Sequence, residues 1–123
     1  MTKFTFEGLE VYSRGRHLVK LVYDRTSGFP PHEIYGLAQQ LRRASISIVS
    51  NIAEGSARTG PKDKAHFFEM AYGSLMEVLC QLDVAVDLGY LDEAALASFR
   101  SEAELMAKQL SALRRSHLEA HGV

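Results

Sequence analysis

The sequence predicts an all-α protein, an antiparallel up-down-up-down four-helix bundle formed by a single domain spanning residues 1–123. Three observations support this fold class. Glycine and proline cluster at three places, apolar residues between the clusters recur at spacings of three and four, and the one short strand-like stretch has no second strand to pair with. A chain of 123 residues is long enough for one hydrophobic core and too short for two.

The clusters of glycine and proline divide the chain into four segments. They lie at 27–31, 58–61 and 89–92, and such residues end helices and begin new ones. The connections between helices are therefore short, so consecutive helices are expected to run in opposite directions. The four predicted helices are roughly 7–26, 31–58, 61–89 and 92–119.

The residues at the segment ends suit helix caps. Pro31 and Pro61 are each followed two residues later by an acidic residue, as in the first turn of a helix. Gly89 suits a helix C-terminus, and Asp92 suits the N-cap of the next helix. These positions predict where the second, third and fourth helices begin.

Apolar residues at alternating spacings of three and four form a narrow stripe on one side of a helix. In the third and fourth segments the stripe is regular: Phe68, Ala71, Leu75, Val78, Leu82, Ala85, Gly89, then Leu96, Phe99, Ala103, Met106, Leu110, Leu113. In the first two segments the expected core residues are Leu9, Tyr12, Val19, Val22, flanked by Leu18 and Leu21, then Leu37, Leu41, Ala44, Ile48, Ile52.

Residues 45–50 alternate polar and apolar side chains and on their own resemble a strand. The sequence offers no second strand to pair with them, and an isolated strand leaves its backbone groups unpaired. We therefore predict a helix there. Further apolar residues off the main stripes predict a second apolar face and an oligomer: Leu18, Ile34, Ile46, Phe67, Leu88 and Leu105.

Charge is distributed unequally along the chain. Residues 1–64 contain ten Lys and Arg against six Asp and Glu, whereas residues 65–123 contain four against nine. The halves therefore carry +4 and −5, although the formal net charge is −1. Such asymmetry indicates partner binding.

The composition also limits the compartment. The single cysteine, Cys80, has no internal disulfide partner, which favours a reducing cytoplasm, and its apolar neighbours predict a buried, inert thiol. The sequence contains no apolar run of the ~20 residues that a membrane span requires, and its N-terminus lacks the apolar run of a signal peptide. We expect a cytoplasmic protein with no membrane association.

No catalytic constellation or cofactor motif is evident. His117 and His121 are four residues apart, but Leu118 occupies the position where the zinc-protease pattern requires glutamate, so no metal site is predicted. The single glycines match no phosphate-binding loop. The scattered carboxylates Glu54 and Glu69 do not identify an acid–base pair, and we expect neither an enzyme nor a cofactor.

Gly73 lies in the middle of the third segment, where glycine costs about 1 kcal/mol relative to alanine. Close approach of another helix would compensate for this cost. Glu77, one turn further on, would then reach Asn51 or Arg43 on the second helix. The predicted structural polar network comprises Asn51, Glu54, Ser74 and Glu77.

Basic residues provide the argument for nucleic acid, because phosphate binding requires an array of cations. They group on the first helix, on the second helix and around the second connection. Tyr12, Tyr35 and Tyr72 are candidates for stacking on unpaired bases, with core packing as the alternative. The predicted nucleic-acid-binding residues are Arg14, Arg16, Lys20, Arg42, Arg43, Arg58, Lys62 and Lys64, of which Arg43 and Arg58 have internal ion pairs as an alternative.

Several motifs resemble one known family. They are Phe6–Tyr12, Phe29-Pro30, Glu33, Gly36-Leu37, Gln40–Ala44, Ser47-Ile48, Asn51–Gly55, Arg58, Phe67, Ala71, Gly73–Leu75, Glu77 and Gly89–Leu91. The sequence is similar to the four-helix-bundle family named after proteins encoded in intervening sequences of bacterial 23S ribosomal RNA genes. It also has a distant similarity to the accessory protein of diversity-generating retroelements, a basic pentamer that binds a reverse transcriptase and nucleic acid.

The resemblance implies a helical bundle that assembles into a ring-shaped homopentamer, and it implies no established activity. With the basic residues above, it leads to the hypothesis of a noncatalytic oligomer that binds RNA or a ribonucleoprotein through a basic surface. The alternative is a protein-interaction scaffold or accessory subunit, for example for a reverse transcriptase, without a direct nucleic-acid role.

Overall fold

The computed structural model describes residues 3–120, and these residues form an all-helical fold without strands. A 3₁₀ turn at Thr5–Gly8 precedes the first α-helix, and another at Pro31–Glu33 precedes the second. The four helices pack against one another, as expected. They are α1 (Glu10–Thr26), α2 (Leu37–Ala57), α3 (Pro61–Asp87) and α4 (Glu93–Ala120).

The second helix begins later than the sequence indicated. Pro31 starts a short 3₁₀ turn, and α2 begins at Leu37 because Gly36 has a nonhelical backbone conformation. Glu33 lies four residues before the helix, and its Oε1 accepts a hydrogen bond of 3.1 Å from the Leu37 backbone N–H. Glu33, predicted to lie in the first turn of the second helix, therefore caps α2 from outside it. The strand-like residues 45–50 lie inside α2, which confirms the helical prediction.

The connection between α3 and α4 has the predicted caps. Gly89 has φ of +80°, a conformation that favours glycine, and the Tyr90 N–H donates a 2.8 Å hydrogen bond to the Ala85 carbonyl. Asp92 Oδ1 accepts a 2.7 Å hydrogen bond from the Ala95 N–H. This short connection therefore has a well-defined conformation at both ends.

The predicted stripes of α2, α3 and α4 form the core. Residues from Leu41 to Ile52 at the predicted spacing are buried, whereas Leu37 and Leu113 at the stripe ends are half-buried. The side chains that fill the core most completely are Phe68, Leu41, Ile48, Ile52, Leu75, Leu82, Met106 and Leu110.

The prediction for α1 identified the wrong central stripe. The buried positions are Val11, Gly15, Leu18, Val22 and Thr26, whereas the expected Leu9, Tyr12 and Val19 are half-buried. Hydrophobicity does not reveal this stripe because it includes a glycine and a threonine. The Thr26 hydroxyl is satisfied by donating a 2.7 Å hydrogen bond to the Val22 carbonyl.

Two further assignments of burial were wrong. Leu18, expected both beside the core stripe of α1 and on a second apolar face, is 1% exposed and belongs to the core alone. Cys80 is exposed rather than buried, because it lies two residues from both Val78 and Leu82 and so faces away from the core. The exposed residues of the expected second face are Ile34, Ile46, Leu88 and Leu105.

The close helix approach predicted at Gly73 occurs instead at Gly55. A methyl group at Gly73 would have no neighbouring atom within 4 Å, whereas one at Gly55 would lie 2.9 Å from the Phe67 Cβ. Gly55 therefore allows the end of α2 to approach the beginning of α3. None of the helices in residues 3–120 is long and apolar enough to cross a membrane.

Candidate nucleic-acid interface

Two cations flanked by two tyrosines lie along the outer side of α1. Tyr12, Arg16, Lys20 and Tyr23 are separated by four, four and three residues, so they share one side of the helix. The Arg16 guanidinium lies 5.9 Å from the centroid of the Tyr12 ring. Lys20 is exposed and forms an ion pair of 3.2 Å with Asp24 one turn further on. This row is an exposed basic strip with aromatic rings at both ends.

Arg42 extends this strip from α2. Its guanidinium lies 4.8 Å from the centroid of the Tyr23 ring, and its Nε donates a 2.8 Å hydrogen bond to Thr26 Oγ1. Within residues 3–120, no carboxylate lies within salt-bridge distance of this guanidinium. Arg42 is therefore held in place by neutral groups and keeps an uncompensated positive charge beside an aromatic ring.

Arg14 has a different environment from its neighbours. Its Nη1 donates hydrogen bonds of 3.1 and 3.2 Å to the Glu102 carboxylate on α4, and its Nη2 lies 2.9 Å from Glu10. These carboxylates, Glu102 first, raise the pKa of Arg14 above its ordinary value. Because two acids already neutralise it, Arg14 connects α1 to α4 and is poorly suited to binding a phosphate.

The basic residues of the second connection form a separate group at the other end of α2. Arg58 lies 4.4 Å from the Phe67 ring centroid and 4.0 Å from Glu54, while Lys64 Nζ donates to the Ser56 carbonyl at 3.0 Å. Lys62 is exposed. Sixteen residues of helix separate Arg42 from this group, a distance of about 24 Å at 1.5 Å per residue. The predicted basic residues therefore form two groups rather than one patch.

The predicted polar network is centred on a serine that the sequence analysis omitted. Ser47 and Ser74 form a 2.9 Å hydrogen bond between α2 and α3, and Asn51 Nδ2 donates to both the carbonyl and the hydroxyl of Ser47. Glu54 instead lies near Arg58. Glu77 is exposed and makes no hydrogen bond or ion pair in the described part of the chain, so its expected contacts with Asn51 and Arg43 are not formed.

Arg43 is the remaining predicted cation. It is exposed on α2, one turn from Gln40 and Ser47, which both contact α3. It therefore lies toward α3, whereas Arg42 points toward α1. Two adjacent arginines thus belong to different sides of the molecule, which a linear charge count does not distinguish.

Tyr90 and Glu33 join the first and third connections. The Tyr90 hydroxyl donates a 2.9 Å hydrogen bond to Glu33 Oε2, while the other oxygen of this carboxylate caps Leu37. The Leu37 N–H, followed by Tyr90, lowers the pKa of Glu33, and the same carboxylate raises the pKa of Tyr90. The ring of Tyr90 also packs 5.2 Å from Phe29. This contact fixes the loop that precedes α2.

Sequence reasoning missed Tyr23 and three cations on α4. Tyr23 is recognisable from its spacing of three residues after Lys20. Lys108, Arg114 and Arg115 were overlooked because they belong to the acidic half of the chain; all three line cavities beside Tyr72.

The described residues show no group of three or more His, Cys, Asp and Glu side chains that could hold a metal ion. His117, half of the histidine pair considered above, stacks on Phe68 with ring centroids 5.6 Å apart. His121 lies outside the described residues.

Comparison with known proteins places the chain in a family. The family model described as 23S rRNA-intervening sequence protein matches residues 7–112. The chain belongs to this family. No curated protein matched it. Several residues that carry the family resemblance contact one another: Ser47 with Ser74, Glu33 with Tyr90, and Arg58 with Phe67. Such contacts maintain the packing and connections of the helices.

Proposed function

We propose that this protein is a noncatalytic, oligomeric helical bundle that binds RNA or a ribonucleoprotein through the basic strip of α1 and α2. The strip comprises Tyr12, Arg16, Lys20, Tyr23 and Arg42. The observation that supports this function is the placement of each guanidinium beside a tyrosine ring, Arg16 by Tyr12 and Arg42 by Tyr23, on one side of the molecule. Cations bind phosphates and release counterions, while tyrosine rings stack on unpaired bases.

The proposal narrows the set of cations expected to contact phosphate. Arg14 and Arg58 pair with carboxylates, and their side chains are only 31% and 46% exposed. Lys20 also pairs with Asp24, but its side chain is 75% exposed and such surface pairs are weak, so it stays available to a phosphate. Arg16 is exposed and Arg42 half-buried, and neither has a carboxylate of residues 3–120 within salt-bridge distance. Lys62 and Lys64, which begin α3 at the far end of α2 from Arg42, would contact a more distant part of a long RNA.

Fluorescence anisotropy with a labelled single-stranded RNA tests this function. RNA affinity should fall with salt, and the double variant Arg16→Gln/Lys20→Gln should reduce the slope of log K against log salt by about 1.4, or ~0.7 per lost contact. Arg100→Gln is the matched control, because Arg100 is an exposed cation paired with Asp83 on the other side of the molecule. Affinity that does not change with salt, or that falls equally in the control, would contradict the proposal.

We also propose that the helices run up-down-up-down and that the copies form a homopentameric ring. The short connections between helices support the first part. The exposed Leu105 of α4, with 45% of its surface accessible, supports an apolar contact between copies. Light scattering should give about five times the mass of one chain. Leu105→Glu should lower this mass, whereas Ser101→Glu, one turn earlier on the same exposed side, should not.

A scaffold role is the second candidate function. Ile34, Tyr35 and Leu88 are exposed, with accessibilities of 57%, 86% and 53%, and they flank the contact between Tyr90 and Glu33. This apolar end would bind a protein such as a reverse transcriptase. After nuclease treatment, a pull-down should retain the partner, and Ile34→Glu should release it while leaving RNA affinity unchanged. Loss of the partner on nuclease treatment would favour RNA binding alone.

A further inference from the structure

Two adjoining cavities form a groove between α3 and α4, on a part of the molecule to which no function has been assigned. Their volumes are about 240 and 270 Å³. Tyr72 and Ser111 line both cavities, so the two spaces adjoin. Together they reach the range of about 300–1,000 Å³ that is typical of small-ligand sites.

Tyr72 lies between the two cavities with its ring and hydroxyl unengaged. It is 37% exposed, and within residues 3–120 its ring contacts no other ring or cation and its hydroxyl makes no hydrogen bond. The ring of Tyr72 is therefore available to stack on a flat group.

The groove concentrates positive charge in the acidic half of the chain. Three of the four Lys and Arg residues in 65–123 line it: Lys108, Arg114 and Arg115. Glu69 lies 3.9 Å from Arg114, but no carboxylate of residues 3–120 is within salt-bridge distance of Lys108 or Arg115. Two cations without a carboxylate partner thus line the second cavity.

The two cavities differ in chemistry. Phe68 and Leu110 give the first cavity an apolar wall, and Glu69 there would repel a phosphate. Lys108 and Arg115 line the second cavity, where no carboxylate is present. Ser111 lines both cavities. An aromatic base suits the first space, an anion suits the second, and a sugar suits the region between.

We propose that this groove binds a nucleotide unit, with its base stacked on Tyr72 and its phosphate at Lys108 and Arg115. The unit is either a free nucleoside monophosphate or an unpaired nucleotide of a single strand, because both present the same base, sugar and phosphate. The site is separate from the basic strip of α1 and α2, and it does not depend on the RNA-binding function proposed above.

Calorimetric titration of the full chain with adenosine monophosphate tests the site, with a short oligoadenylate as the strand arm. Tyr72→Ala should weaken binding by roughly 5- to 150-fold, the range expected for the loss of one base stack, and Tyr72→Phe should retain it. Arg115→Gln should weaken binding and reduce its salt dependence. Tyr35→Ala is the control, since Tyr35 is 86% exposed and lines neither cavity.

The outcomes identify the ligand source or reject the site. If binding is weakened by Tyr72→Ala, its ligand identifies the source. Binding of the monophosphate then indicates a free nucleotide, and binding of the oligoadenylate alone indicates a single strand. Equal binding of inorganic phosphate and the monophosphate, or unchanged binding in Tyr72→Ala, would overturn the proposal. Arg16→Gln/Lys20→Gln should leave nucleotide binding intact. If only that variant loses it, the groove is rejected while the basic strip remains.

Discussion

Alanine substitutions at Gly55 and Gly73 should change stability in opposite directions, although both glycines lie inside helices. At Gly55, the new methyl group would lie 2.9 Å from Phe67 Cβ, 3.2 Å from Phe68 Cε1 and 3.4 Å from the Lys64 carbonyl oxygen. A Cβ atom and a carbonyl oxygen move only with their backbone, so α2 and α3 must separate. At Gly73 the methyl group meets no atom within 4 Å.

These contacts determine the expected magnitudes. Adding a methyl group to a tightly packed site costs about 1–3 kcal/mol, and replacing glycine by alanine in a helix recovers up to about 1 kcal/mol. Gly55→Ala should therefore lower the free energy of unfolding by about 1–2 kcal/mol. Gly73→Ala should raise it by about 0.5–1 kcal/mol, because only the helix preference changes.

Urea unfolding, followed by the circular dichroism signal of the helices, measures both changes in the free energy of unfolding. Protein concentration must be held constant because association contributes to apparent stability, and a constant m-value shows that the unfolding reaction is the same. Gly55→Ala at or above wild-type stability would refute the close helix contact. A destabilised Gly73→Ala would show that its methyl group meets another copy of the chain.

Three further predictions concern other parts of the fold. Glu33→Gln should reduce the loss of unfolding free energy at acid pH. Because the pKa of Glu33 is lowered in the fold, its carboxylate stabilises the protein near neutral pH, and this stabilisation is lost as the pH falls below about 4.3. An unchanged pH dependence would contradict the capping role. Asp92→Ala should cost about 1 kcal/mol of unfolding free energy by removing the cap on α4, whereas Asp92→Asn should cost less. Cys80 should react with a thiol reagent in the native protein at a rate close to that in urea, and a native rate many-fold slower would contradict its exposure.

Residues whose roles depend on local sequence were predictable. Gly89 and Asp92 act within a few residues of their own positions, so their cap functions follow from the sequence alone. The stripe from Phe68 to Ala85 was equally clear because each member is apolar. The stripe of α1 was not, since Gly15 and Thr26 are buried through contacts with other residues rather than through their own hydrophobicity.

The candidate sites were predictable only in part. The sequence shows which residues are cationic or aromatic, but it does not show which of them lie together in the structure. The sequence predicts that Arg14 binds phosphate, but Glu102, 88 residues later, neutralises it in the structure. Lys108 and Arg115 belong to the half of the chain whose net charge is negative, so the charge count did not indicate them, yet they line one cavity with Tyr72.

The sequence by itself determined the all-helical class, the number of helices and the caps of the last connection, because these depend on periodicity and on neighbouring residues. The tertiary structure decided which glycine permits close packing, which arginines retain an uncompensated charge and which tyrosines face open space. Each of those properties depends on atoms that are distant along the chain, such as Phe67 beside Gly55 and Tyr23 beneath Arg42. Packing brings them together, and linear spacing does not encode those distances.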